Sequence, residues 1–503
     1  MDIENHAVER DLHTTELQGK QIGTAELEKS SSPDHEVPST SRPNSQGITE
    51  DPATDVTMPL NWSTWKKIVN MGVPSIASLV VTFGTSVYTP AIPVVMMDFG
   101  VSETVAILPL TTYVLGLAFG PMISAPISET LGRLGTYRIA IPIGALFSLG
   151  AGYAPSIAAL CILRFFAGFF SGAILPVTAG TAADIFSPQR FAVAGAWLLY
   201  FPFLGPALGP VVGGYVTDSS WKWSQYTLAI VSAVTYLPVY FLEETYAKII
   251  IARRNQKQQA AEAPTKPPAK TIILGILFIT LLRPAKMLVT EPIVAFLSIY
   301  VAFNFAVLFT FFASVPYVFA LVYRFDRGET GLVFLSIGLG CTLVLPTAIY
   351  LDKLIYQKKW KLRPGNVEPE HRLWVAMLGA LGLPIGLFWF AWSARQEVHW
   401  IVPVLGMVPF GWGNLCIYVG TCLYLLDTYA ALTAASAIAA NGLLRYIMGA
   451  TFPLFTTAMY ERLGIAWATS LLGFVSLAML PIPWVLYQWG PKIRAASKFE
   501  TKE

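Results

Sequence analysis

Two arginines, Arg164 and Arg445, each stand inside a long apolar stretch. A fixed charge there is costly, so it marks a place where something charged or polar is held or passed on. Arg164, Gly168 and Gly172 recur at i, i+4 and i+8 and share one helix face. Asn441 precedes Arg445 by one helical turn, and Asn304 and Asn414 are further polar groups in apolar runs. Such residues can recognise a ligand's charge or polarity and can tune a titrating neighbour or water; by themselves they do not make or break covalent bonds. The five histidines (His6, His13, His35, His371, His399) lie near the N-terminus or at segment ends, and the four cysteines (Cys161, Cys341, Cys416, Cys422) read as small buried hydrophobes. No metal set, cofactor motif, phosphate loop or catalytic constellation emerges, so the sequence does not read as an enzyme and implies no metal, cofactor or nucleic-acid partner.

Aromatic residues accompany these polar groups. Trp197, Tyr200 and Phe201 lie in one apolar run, Phe305, Phe309, Phe312 and Tyr317 in another, and Trp412 and Tyr418 in a third. Rings with few fixed charges suit a cavity for planar or amphipathic organic molecules, and about half of them are expected to face lipid instead.

The elements that must position these side chains follow from composition. The 503 residues are 54% hydrophobic and 13% charged, whereas soluble domains carry about 25% charged residues. Met1–Leu60 holds 12 acidic and 4 basic residues, a net of −8, so the whole chain's +3 leaves +11 on the remainder. This acidic, aromatic-poor tail (residues 1–66) is expected to be disordered and cytosolic. It lacks an apolar signal core, and the Asn61-Trp62-Ser63 sequon is expected to be unused.

At about 20 apolar residues per crossing, twelve spans emerge: Gly72–Val94, Val105–Ser124, Arg138–Ala154, Ile157–Ala179, Phe191–Val216 and Tyr226–Leu242, then Ile293–Tyr317, Gly331–Leu351, Leu373–Trp392, Trp400–Leu425, Ala434–Tyr460 and Ile465–Tyr487. Ile272–Leu282 is too short to cross and is expected at the interface. Lys and Arg crowd Glu243–Lys286 and Lys353–Arg372, which places that side, both termini and residues 489–503 in the cytosol. Two six-helix halves, residues 67–242 and 290–488, are thus joined by a flexible basic linker, residues 243–289.

The fifth span contains Leu204–Tyr215, where Gly205, Gly209 and Gly213 repeat four apart, with Gly214 beside the last. They leave a smooth strip that another helix can approach closely. Pro202, Pro206 and Pro210 repeat at the same interval, and each removes an amide from the ladder, freeing the carbonyls of Leu198, Pro202 and Pro206. A kinked helix that packs against a moving neighbour is expected. After the second span, Glu129, Gly132 and Arg133 form a short loop whose charges can pair with helix ends in one conformer and release them in another.

Taken together these stretches resemble the major facilitator superfamily. Gly205–Gly214 is similar to the antiporter motif of its drug exporters. Ala125–Arg133 resembles the loop signature G-x-x-x-D-[RK]-x-G-R, with Ala125 in place of glycine and Thr130 in place of a cation. Arg164–Gly172 resembles R-x-x-x-G-x-x-x-G, whose arginine is linked to proton coupling, and Ala167 stands where many members carry glutamine. Gly180–Phe186, Phe241–Tyr246, Tyr424–Tyr429 and Ala439–Phe455 look like segments of fungal twelve-span drug:proton antiporters, and the likeness runs from about Trp62 to Tyr487. The resemblance implies an all-α membrane protein that exports small organic compounds in exchange for protons, by alternating access, as a monomer in the plasma membrane. No carboxylate stands clearly at mid-membrane to carry the proton. An exporter of polyamines or other organic cations and a non-transporting sensor on the same fold are the alternatives. The substrate and coupling set would be Arg164, Trp197, Tyr200, Asn304, Asn414, Tyr418, Asn441 and Arg445. The gating and packing set would be Glu129, Gly132, Arg133, Gly168, Gly205, Pro206, Gly209, Pro210, Gly213 and Gly214.

Overall fold

A chain this apolar must pair its backbone polar groups within each crossing segment, and helices do so. The computed structural model describes residues 55, 58–258, 282–362, 367–497, 499 and 501. The acidic tail up to residue 54, the middle of the linker (259–281) and the short apolar run from Ile272 to its penultimate residue lie outside the described residues. Ten segments are long and apolar enough to cross a bilayer. They are α1 (Thr64–Phe99), α2 (Glu103–Leu131), α3 (Arg133–Gly152), α4 (Ile157–Ile185), α5 (Pro188–Val216, with its apolar window at Ala194–Val216), α7 (Pro292–Tyr323), α8 (Arg327–Leu362), α9 (Pro369–Ser393), α10 (Ile401–Thr428) and α12 (Ile465–Ala495). Two more complete the twelve: α6 (Lys222–Tyr236, continued by the 3-10 turn Leu237–Phe241) and α11 (Ala431–Thr451, continued by Pro453–Leu463).

Some helix ends are set by capping and turn chemistry rather than by where hydrophobicity stops. Ser156 accepts from the Ala159 amide to start α4, and Asp326 with Glu329 forms a capping box before α8. Gly132, at φ 90°, turns the chain between α2 and α3. Several helices therefore outrun their apolar windows. α4 continues to Ile185 instead of ending at Ala179, which leaves Arg164 in its first third rather than near its middle. The linker is helical at both described edges, Ala247–Gln258 and Arg283–Thr290. α5 runs through Pro202, Pro206 and Pro210 as one helix.

The helices pair by the same scheme in both halves. α1 packs on α5, α2 on α4, α3 on α4 and α6; correspondingly α7 packs on α11, α8 on α10, α9 on α10 and α12. The halves meet mainly through α5 against α8 and α2 against α11, which are equivalent pairs under this repeat. Arg133, Arg372 and the other clustered cations mark a basic end. At the opposite end the halves are joined: Thr111 donates to the Ala450 carbonyl at 2.9 Å and Thr457 to Glu103 Oε1 at 2.8 Å. At the basic end Ala196 of α5 and Ala348, Asp352, Tyr356 and Arg372 of the second half line one small pocket. At the end opposite the basic one the halves are closed against each other.

Candidate functional site

Arg164 is fully buried. Its Nε donates to the Pro109 carbonyl of α2 (2.8 Å), Nη1 to Gln225 Oε1 of α6 (3.0 Å) and Nη2 to the Gly84 carbonyl of α1 (2.9 Å). Gly84 lies in the last turn of the first helical segment of α1, Thr64–Ser86, where carbonyls run out of helical partners. The guanidinium also lies 4.8 Å from the Tyr88 ring centre and 4.7 Å from that of Tyr113, whose hydroxyls donate to the carbonyls of Ala106 and Val81. Arg164 thus clasps four helices with neutral acceptors. Gly168 permits this: a Cβ there would strike the Tyr113 carbonyl, so α4 can lie on α2 only because none is present. Gln225 is a functional candidate that the sequence reading passed over, because it stands one residue before the expected span Tyr226–Leu242.

Arg445 stands in the middle third of α11 and is 7% exposed. Three rings face its guanidinium: Tyr446 at 4.3 Å, Tyr418 of α10 at 4.6 Å and Phe305 of α7 at 4.6 Å. Phe203 of α5 closes the group from the other half, 5.1 Å from Tyr418 and 6.2 Å from Phe305. Its Nε has no hydrogen-bond partner, and neither has Asn441 Nδ2. Asn414 donates to the backbone carbonyl of Asn304 at 2.7 Å and so ties α10 to α7, while the side-chain amide of Asn304 is buried without a partner.

The other aromatic candidates spread over several places. Trp197, Tyr200 and Phe201 pack on one another, and Trp197 is 45% exposed. Tyr200 shares a hydrogen bond of 3.1 Å with Thr342 of α8, across the halves. Trp412 donates to Thr347 at 3.1 Å, Phe309 packs between Phe305 and Phe312, Phe312 faces Phe334, and Tyr317 faces Tyr460. Phe203, which the sequence reading did not select, is the α5 ring that reaches Arg445's neighbours.

The glycine strip of α5 meets the backbone of α1. A Cβ on Gly205 would lie 2.6 Å from the Leu79 carbonyl and the Phe83 amide, one on Gly209 would lie 2.8 Å from the Val87 amide, and one on Gly213 would strike the Val87 carbonyl. Gly214 faces the other half, where a Cβ would lie 2.5 Å from the Arg327 carbonyl, and Gly331 faces the Pro210 carbonyl in return. Pro206 and Pro210 are buried beside this strip. One helix therefore packs on its own half and, near the closed end, on the opposite half.

At the basic end Arg133 Nε pairs with Asp184 Oδ2 at 3.1 Å and Nη1 donates to Ser128 at 2.7 Å. Glu244 accepts from the backbone amides of Arg133 and Leu134 and faces Gly132 directly. Glu129 is exposed and forms no ion pair among the described residues, so the acids around Arg133 come from the ends of α4 and α6. The second half repeats the device: Arg372 pairs with Asp427 at 2.8 Å and Asp352 at 2.9 Å and stacks 3.4 Å from the Tyr356 ring centre.

Among the described residues no group of His, Cys, Asp or Glu could hold a metal ion, and no Asp or Glu lies in the middle third of any of the twelve segments. A sequence model described as Major Facilitator Superfamily matches residues 75–453. Among curated proteins, Polyamine transporter 4 of Saccharomyces cerevisiae is 37% identical over 89% of this chain and 72% of its own length. The ascochitine biosynthesis cluster MFS transporter of Didymella fabae is 38% identical over 88% of this chain and 87% of its own. Efflux pump FUBT of Fusarium oxysporum is 38% identical over 86% and 74%. Among solved structures, the proton:xylose symporter XylE bound to 6-bromo-6-deoxy-D-glucose superimposes with a TM-score of 0.63 at 15% identity, covering 85% of this chain and 96% of that one.

Proposed function

Because the chain belongs to the Major Facilitator Superfamily, and is a multi-pass membrane transporter rather than an enzyme, we propose that it exports small amphipathic organic compounds, such as drugs, toxins or a secondary metabolite, from the cytosol in exchange for protons. The basic end faces the cytosol, both termini lie there, and the protein works as a monomer in the plasma membrane. Two of its relatives carry names of this kind, an efflux pump and a biosynthesis-cluster transporter.

The observation that carries the reading is where the halves touch. Rings from both halves surround a buried polar group at mid-depth, and hydrogen bonds join the halves at the end opposite the basic one. Alternating access requires these far-end contacts to break for the site to open toward that side. Substrate-dependent proton flux in vesicles, over a panel of toxins and dyes, tests the reading; substrate movement with no accompanying proton movement sinks the antiport part of it.

The closure itself is tested by Glu103→Cys with Thr457→Cys, after Cys161 is replaced. A short reducible thiol cross-linker is expected to stop flux, and reductant to restore it. Full flux in the cross-linked protein means that this end need not open.

The name of the yeast relative favours a second reading, a polyamine exporter. That reading needs carboxylates in the cavity, and the described acids lie toward the helix ends, whereas the mid-depth charge is the cation Arg445.

A further inference from the structure

Three described arginines are more than nine-tenths buried, and they differ in how their charge is met. Arg164 spends Nε, Nη1 and Nη2 on three acceptors, and Arg372 sits between two aspartates. Arg445 has ring faces and no acid: it forms no ion pair among the described residues, and its Nε is without an acceptor. Stacked rings offset a buried guanidinium only partly. One turn away, the Asn441 amide is a second buried donor without an acceptor. The surplus at this spot is therefore of positive charge and N–H groups.

We infer that Arg445 anchors the anionic group, a carboxylate or an enolate, of a planar substrate whose ring is taken up by Phe203, Phe305 and Tyr418. This deepens the export reading above and rests on it. A guanidinium suits such a group because its fork presents paired N–H donors in the plane of two oxygens. Asn441 supplies a further donor. Rings at 4.3–4.6 Å hold the guanidinium in its rotamer, so little ordering remains to be done when the anion arrives. Phe203 belongs to the half opposite Arg445, so an anion seated here touches both halves at once and is placed to bias their packing. A cationic substrate at the same spot faces uncompensated repulsion.

The test uses the full chain in lipid nanodiscs and three probes with one ring system: 2-naphthoate, the neutral 2-naphthamide and 2-naphthylmethylammonium. Wild type is expected to bind naphthoate at least ~10-fold more tightly than naphthamide, since a charge-assisted hydrogen bond is worth about 1.5–3 kcal/mol. R445Q is expected to erase that preference while naphthamide binding stays within about twofold, which also reports that the variant is folded. R445K is expected to keep part of the preference. N441D leaves Arg445 in place but supplies an internal counter-ion, and is expected to lose the preference as R445Q does. Equal binding of naphthoate and naphthamide by wild type, preference for the ammonium, no binding of naphthoate, or equal losses of both ligands in R445Q would each overturn the inference. Proton-coupled efflux of the same probes is followed separately in vesicles. Selective binding without efflux keeps the anion site and rejects the export reading; efflux without charge selectivity does the reverse.

Discussion

Gly209→Leu is expected to reduce transport to background and to lower the melting temperature, although the chain still reaches the membrane. The reason is local. A Cβ on residue 209 would lie 2.8 Å from the Val87 amide and 3.0 Å from the Phe83 carbonyl, and closer still to Ser86 Oγ. The hydroxyl can rotate away, but the two backbone groups belong to α1 and cannot yield without moving that helix. Overpacking a side chain into a close-packed interior costs about 1–3 kcal/mol where neighbours can relax. Here α1 and α5 must part along their length, so Gly205 and Gly213 lose their contacts with the same helix. α5 also touches α8 at the closed end through Gly214 and Arg327, so a displaced α5 misaligns the surface on which the halves rock. Gly72→Leu is the control: a Cβ there meets nothing within 4 Å, and both flux and melting are expected to stay near wild type. Efflux per molecule at the membrane and thermal melting of purified protein measure the two effects. Wild-type flux in the Gly209 variant would show that the strip is not part of the moving contact.

How much of this was legible follows from what each residue can reveal without its neighbours. The glycine strip of α5 was legible because four-residue spacing is a property of one helix, but its partner α1 was not, since the packing surface of Leu79, Thr82 and Phe83 has no distinctive spacing of its own. The three prolines were legible from their spacing, and α5 carries them inside one helix. Arg164 was legible as an interior charge because the cost of exposing it to lipid depends on its type alone. Its partners were not: carbonyls of Gly84 and Pro109 leave no trace in a sequence, and a search for a matching acid looks past them. The loop at Arg133 drew attention to Glu129, the acid in its own segment, whereas helix ends remote in sequence bring Asp184 and Glu244 to the arginine. The same holds in the second half, where Arg372 read as a topology-setting cation before the fold joined it to Asp427. Helix boundaries were off by up to about ten residues because apolarity reports bilayer thickness, whereas caps decide where a helix stops.

Arg164→Ala is expected to abolish efflux and to destabilise the first half by about 3 kcal/mol or more, because three buried neutral acceptors lose their donor together. Deleting the guanidinium relieves the cost of burying a charge, but it strands Gln225 Oε1 and the carbonyls of Gly84 and Pro109 in a space closed to water, and it removes the ion that Tyr88 and Tyr113 enclose. An unsatisfied buried acceptor costs about 1–3 kcal/mol. Two further variants separate a clasp from a coupling group. Arg164→Lys keeps the charge but offers a single donor centre, so it is expected to recover part of the melting temperature while remaining impaired in transport. Gln225→Leu leaves the arginine charged and removes one acceptor, and it is expected to destabilise by about 1–3 kcal/mol while flux keeps its dependence on the proton gradient. If Arg164→Lys instead melts like wild type and moves substrate without moving protons, the arginine acts in coupling beyond its role in joining α1, α2, α4 and α6. If Arg164→Ala transports and melts as wild type does, the clasp contributes nothing that the surrounding helix contacts do not already supply. That outcome is disfavoured by the geometry, because Arg164 is the common partner of backbone groups on α1 and α2 and a side chain on α6, and no other described side chain donates to all three helices.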